Sequence, residues 1–414
     1  MKSIRVSLVV CLFSLLSFQQ SIAAETYTSI PISICDSSQT DNCVEQLTAT
    51  FPDGHIATAS LTGRSSVAQC SNVSGISTQC NFYEWRVEGL KNEDGRDLIQ
   101  TLGWIQPPTS PSNTTLPPGA LLFFISDSGW DSKFQVITTG VCSNGNPLNL
   151  DCRTGFGLQL GVSWSVSIRA GKFQPAWTTG TLKNSRVTVA QTNSYNKITY
   201  TGEPAKTAGI IPNPNSDGSP PERNDFETSF WSIRSIDTND PVATVVKNQN
   251  CGGLNPTMMT DALWVGLPVF SAADSSIQLS VRNPHLLSNG DQATGQFEGE
   301  FSEAFVKCFW NKSLKDAGNR VQLELTYGDG EKSIATLTSG VVNGSLKIIA
   351  AGYHYSSPIM KISLKKDQAV TSEPKSTLDA SGKTSAKLPT ITCVRGNMTK
   401  KLSAAKCPSG YKKK

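Results

Sequence analysis

Histidine is scarce in this chain: His55, His285 and His354 are the only three among 414 residues. No pair of cysteines has CxxC spacing, so the usual ligand sets of structural zinc are missing, no metal site is expected, and no cofactor is expected. Charged residues make up only 17% of the chain, and apolar residues at helical spacing are almost absent. These shortages exclude coiled coils and argue against helix bundles. Beyond the N-terminal leader no apolar run is long enough to span a bilayer, so no transmembrane segment is expected.

What is plentiful is serine, threonine, glycine and proline, with 33 glycines and 22 prolines. They punctuate short stretches in which apolar and polar residues alternate. The clearest is Phe301–Lys365. A helical turn opens it, and Val321, Leu323 and Leu325 then alternate with polar residues up to the turn Gly328-Asp329-Gly330. Ile334 and Leu337 open the return strand, Asn343-Gly344 turns again, and Leu346, Ile348 and Ala350 follow. Ile359, Ile362 and Leu364 mark a last strand. Earlier in the chain, Gly157–Ile168 places Leu158, Leu160, Val162, Trp164, Val166 and Ile168 on one face, and GALLFFIS reads as a strand buried on both faces. The fold class these patterns predict is all-β: two β-sandwich-like domains, a flexible linker and a small disulfide-closed C-terminal hairpin module.

The boundaries follow composition. Residues 1–23 read as a secretory signal, with Lys2 and Arg5 before an apolar core and a small-x-small site at Ser21-Ile22-Ala23. The first β domain spans 24–210. Residues 211–221, IPNPNSDGSPP, hold four prolines and no periodicity and are read as the inter-domain linker. The second β domain spans 222–365. Residues 366–390 are rich in Ser, Thr and Lys without an aromatic side chain, which predicts a flexible linker. A basic Cys-bounded module occupies 391–414.

Apart from Cys11 in the signal, the cysteines are even in number, and an exported chain favours disulfides. Local spacing suggests Cys35–Cys43, Cys70–Cys80, Cys142–Cys152, Cys251–Cys308 and Cys393–Cys407. Charge is divided unevenly. Ile391–Lys414 contains seven basic residues, Arg395, Lys400, Lys401, Lys406, Lys412, Lys413 and Lys414, and no acidic one. Removing Lys2 and Arg5 with the signal takes the formal charge from +4 to +2, so the tail's seven charges leave the rest of the mature chain at −5. A basic foot on a flexible tether suits anionic cell-wall or surface polymers. Nucleic acid is not expected, because no array of stacking aromatics accompanies the lysines.

The last residues, ITCVRGNMTKKLSAAKCPSGYKKK, resemble a tail carried by many uncharacterised secreted β-rich proteins of actinobacteria, through Cys393, Gly396, Cys407, Pro408, Gly410 and Tyr411. VSIRAGKFQPAWTTGTLKNSRVTV and the SVRNPHLLSNGD…EAFVKCFWN…AAGYHYSSPIMKISL series resemble the bodies of such proteins. The resemblance implies export and a β-rich surface protein; it carries over no catalytic residue.

Catalytic readings were weighed against blander ones. His55, Asp97 and Ser128 occur in the order of a serine-protease triad, and Asp127-Ser128-Gly129 resembles a nucleophile loop. The residues flanking His55 do not fit, there is no GxSxG, and turns explain each position. Asp237-Thr238-Asn239-Asp240-Pro241 resembles the acidic inter-domain motif of cadherins, which would bind calcium through hard oxygens. Pro241 replaces the second Asn, and an Asx turn is the simpler reading. Of eight tryptophans, Trp164 and Trp264 fit core strands; Trp104, Trp130 and Trp177 lie near turns or prolines and are the candidates for stacking on sugar rings, but core packing is the preferred reading for the set. His285 and His354 have no second ligand nearby in sequence and read as structural. The expected function is therefore a non-enzymatic, secreted or cell-surface binding or adhesion protein, with a polysaccharide-active hydrolase as the alternative.

Overall fold

The computed structural model describes residues 30–67, 72–73, 76–77, 80–93, 95–105, 119–127, 157–208, 227–264, 266–283, 286–287, 290–328, 330–354, 358–365, 390–395, 398–403 and 412–413. The protein is all-β, with a few short helices. Its chain divides into two compact units, Met1–Lys365 and Lys366–Lys414.

The principal strands of the first half are β1 (Cys43–Thr50), β2 (Cys80–Arg86), β3 (Leu98–Ile105), β4 (Ala120–Asp127), β5 (Ser163–Arg169), β6 (Pro175–Gln191) and β7 (Asn196–Ala208). Those that follow are β8 (Glu227–Asp237), β9 (Thr257–Thr260), β10 (Ser276–Arg282), β11 (Thr294–Ser302), β12 (Val321–Thr326), β13 (Leu337–Val342), β14 (Ser345–His354) and β15 (Ile359–Leu364). Helices α1 (Glu303–Trp310) and α2 (Leu314–Arg320) sit between β11 and β12.

A middle layer runs β13-β14-β11-β9-β6-β8-β4-β3-β2, ending on Ser60–Val67. All neighbours in it are antiparallel except β6 and β9, which are parallel. On one side lies a second layer of β1, β5 and β7, with Ile56–Thr58 at its edge. Two long strands turn the corner between these layers. The first part of β6 pairs with β8 in the middle layer. From Leu182 onward β6 pairs with β7 instead, with a register break between Lys183 and Arg186 where Asn184 adopts φ 50°. Strand β7 returns the other way, and its end pairs with the start of β8. An extra residue at such a corner bends the strand and increases its twist. On the opposite side, β10, β15 and β12 form a further sheet flanked by Leu263–Trp264 and Lys332–Ile334.

Two cores result. One holds Leu121, Phe123, Trp164, Tyr200, Trp231 and Ile233 between the middle layer and the β1-β5-β7 layer. The other holds Trp177, Met258, Phe297, Phe305, Leu323 and Ile362 on the opposite face of the middle layer. Strand β4 is buried along its whole length, because β3 and β8 flank it and both its faces are covered, which is why GALLFFIS is apolar throughout. Helix α1 is started by Ser302, whose hydroxyl accepts from the Phe305 N–H at 3.2 Å, and stopped by Asn311 in a left-handed conformation. Its buried Phe305, Phe309 and Trp310 join Phe270 and Phe301 in an aromatic cluster with neighbouring ring centroids 5.1–6.4 Å apart.

The expected division at 211–221 does not separate these strands. Ala208 pairs with Glu227, and β8 then runs between β4 and β6. The proline-rich residues themselves lie outside the described residues, and the strands on either side of them pair directly within one unit. Three smaller expectations also change. Leu160 is exposed, because Gly161 turns the chain at φ 77° before β5 begins at Ser163. Ile334 and Leu337 do not share a return strand: Lys332–Ile334 pairs with β12, whereas β13 pairs with β14. In β15 it is Met360, not Ile359, that enters the core with Ile362. Cys35–Cys43 and Cys251–Cys308 are disulfides. Cys70, Cys142, Cys152 and Cys407 lie outside the described residues, and with them the three remaining pairings.

Candidate functional site

The serine-protease residues are not brought together. His55 is exposed, and its ring stacks on Phe51 at 5.7 Å. The Asp97 carboxylate pairs with Arg86 at 3.2 Å. Ser128 lies outside the described residues. His354 is exposed at the end of β14, and His285 is outside the described residues.

The acidic stretch after β8 uses its oxygens on backbone. Asp237 accepts from the N–H of Gln174 at 3.0 Å and of Asn239 at 2.7 Å. Asp240 Oδ1 accepts from the Val242 N–H at 2.8 Å and caps the turn Pro241–Ala243. The Asx reading describes this geometry, except that Asp240 is buried, not solvated. Asp240 Oδ2 is also buried and has no hydrogen-bond partner. Desolvation, and then the neighbouring Asp237 charge, raise its pKa above the usual carboxylate range. Among the described residues no group of three or more His, Cys, Asp and Glu is placed to hold a metal ion.

Among the described residues the tryptophans are buried or partly covered. Trp104 and Trp177, the described candidates for stacking on sugars, are buried, as the preferred core reading has it; Trp177 packs against Phe270 at 4.9 Å and Trp104 against Phe124 at 5.9 Å. Trp164 is in the core as expected, whereas Trp264 is only partly buried and donates to the Gly180 carbonyl at 3.1 Å. Trp130 lies outside the described residues. Trp104 and Trp177 both lie on interior strands of the middle layer, β3 and β6.

Buried carboxylates elsewhere also have structural partners. Glu298 accepts from the Asn184 N–H at 2.8 Å and from the Gln296 side chain at 2.9 Å. Partly exposed Glu45 pairs with Arg169 at 2.8 Å and Lys197 at 2.6 Å, and these cations hold its carboxyl below the usual range.

In the second unit, β16 (Thr390–Arg395) is the middle strand of a three-stranded sheet, between β17 (Met398–Ser403) and β18 (Lys412–Lys413). The register sets Lys400 on one side of Cys393 and Lys413 on the other; Lys401 is opposite Thr392, and Lys412 opposite Val394. The hairpin is therefore completed by a third strand. Lys400 and Lys401 belong to one outer strand of this sheet and Lys412 and Lys413 to the other. Lys406, Lys414 and Cys407 lie outside the described residues.

Comparison with known proteins gives no relative: no family model, no curated protein and no solved structure matches the chain.

One polar group passed over in the sequence stands out in the first unit. Arg234, in the middle of β8, has no hydrogen-bond or ion-pair partner for its guanidinium among the described residues, and desolvation lowers its pKa. An arginine in an alternating strand looks like any solvated residue, so only the position of β8 between β4 and β6 reveals it.

Proposed function

We propose that this is an exported, non-enzymatic binding protein of the cell surface whose basic C-terminal module contacts anionic polymers of the envelope. The observation that carries the reading is the pairing of Lys412–Lys413 with Cys393–Val394. It places Lys400, Lys401, Lys412 and Lys413 on the two outer strands of one small three-stranded sheet, in a segment with no acidic residue. Charges gathered on a folded element lose less conformational freedom on binding than charges on a free chain. The larger unit supplies support from its chemistry: its buried carboxylates cap turns or tie strands, and its described tryptophans are packed inside or partly covered.

Attraction between such a module and a polyanion is screened over about 8 Å at physiological salt, so affinity is modest and falls with ionic strength. The test is co-sedimentation with purified bacterial cell walls, at low and high salt, of the mature chain and of a chain ending at Lys365. The mature chain should pellet with walls at low salt and be released at high salt, and the shorter chain should stay in solution. Equal pelleting of both, or binding indifferent to salt, contradicts the reading.

A further inference from the structure

Strand β8 alternates between the two cores. Trp231 and Ile233 enter the core shared with the β1-β5-β7 layer. Ile236, with its cross-strand neighbours Ala120 and Trp177, enters the other. Ser232 and Arg234 occupy that second face. Arg234 stands directly between Leu122 of β4 and Thr179 of β6, and Ser232 between Phe124 and Thr181. Beyond Leu122 lies Trp104, and beyond Thr179 lies Met258.

These neighbours are almost closed to solvent: Leu122 is 5% exposed, Thr179 and Thr181 are 3%, Ser232 is 9% and Met258 is 0%. Arg234 nevertheless keeps partial solvent contact. Arg234 is thus a partly open cation set among closed neighbours on this face. A guanidinium stays charged at any physiological pH and cannot relieve its burial by losing a proton. Left unpaired in such surroundings it costs stability. Its planar fork of donors matches two carboxylate oxygens. The hydroxyls of Ser232 and Thr181 lie one register step away, and Leu122, Phe124 and Trp104 supply an apolar wall.

We propose that Arg234 is the anchor of a binding site for a small organic acid, its fork holding the carboxylate and the Leu122–Phe124–Trp104 side taking an apolar body. The site lies within the first unit, and the proposal does not depend on the basic tail.

Thermal unfolding of the full chain in chloride, acetate or benzoate at matched ionic strength tests it. Benzoate in roughly tenfold excess over its Kd should raise Tm by about 2 °C relative to chloride, and acetate should raise it less. Arg234→Met, which retains the tail, should show no benzoate response. If that variant does not fold, Arg234→Lys serves, keeping the charge but losing the fork, and its benzoate affinity should fall about tenfold. No benzoate effect in the unmodified chain, or an equal effect in the variant that folds, overturns the proposal.

Discussion

Asp240 holds its two oxygens in unequal surroundings. Oδ1 caps a turn, whereas Oδ2 is buried without a partner beside Gly119, where an added Cβ would lie 2.7 Å from it. Its folded pKa is raised, so the folded state binds this proton more tightly than the unfolded state does. The resulting stabilisation is complete below the unfolded value of about 3.9 and is lost as pH rises through the folded pKa. Asp240→Asn keeps an oxygen for the Val242 N–H and removes the buried charge. It should raise Tm at pH 7, with the gain disappearing below about pH 4. A lower Tm at pH 7, or a gain that persists in acid, contradicts this account. The sequence showed that Asp237 and Asp240 would form turns, but not that Asp240 is buried. That burial comes from Gly119, more than a hundred residues distant in the chain.

Elements with a strong local pattern were readable, and those whose neighbours decide their fate were not. The Val321-Leu323-Leu325 alternation is buried as the period demands. Asn343-Gly344 turns the β13–β14 hairpin with φ of 49° and 76°, values that suit Asn and Gly. The bend in β6 near Asn184 carries no comparable signal, because VTVAQ and WTTGT look like ordinary strand on either side. Cysteine spacing did carry long-range information: Cys251–Cys308 ties the turn after Thr244–Asn248 to α1 across 57 residues. Replacing both cysteines by alanine should cost roughly 2–4 kcal/mol, measured by denaturant unfolding, by releasing the unfolded chain from a closed loop. A loss below about 0.5 kcal/mol, the size of an ordinary surface substitution, would mean that the aromatic packing of α1 suffices without the bridge.

At the scale of the molecule, the middle layer serves both cores, and this revises what the proline-rich stretch implies. Strand β8 contributes Ile233 to one core and Ile236 to the other. A fragment beginning at Glu222 therefore leaves β8 without β4 and β6. Expressed alone, residues 222–365 should bind a hydrophobic dye and unfold without a sharp transition, whereas residues 24–365 should unfold cooperatively; a sharp transition in the shorter fragment would contradict a shared sheet. The second unit's role rests on charge, and one measurement tests it most directly. In the full mature chain, Lys400, Lys401, Lys412 and Lys413 are changed together to glutamine, and cell-wall binding is titrated across a salt series. Our account predicts binding weakened by at least tenfold at low salt and a shallower salt dependence, with the far-ultraviolet spectrum unchanged. Undiminished affinity with the same salt dependence would show that these lysines do not contact the envelope.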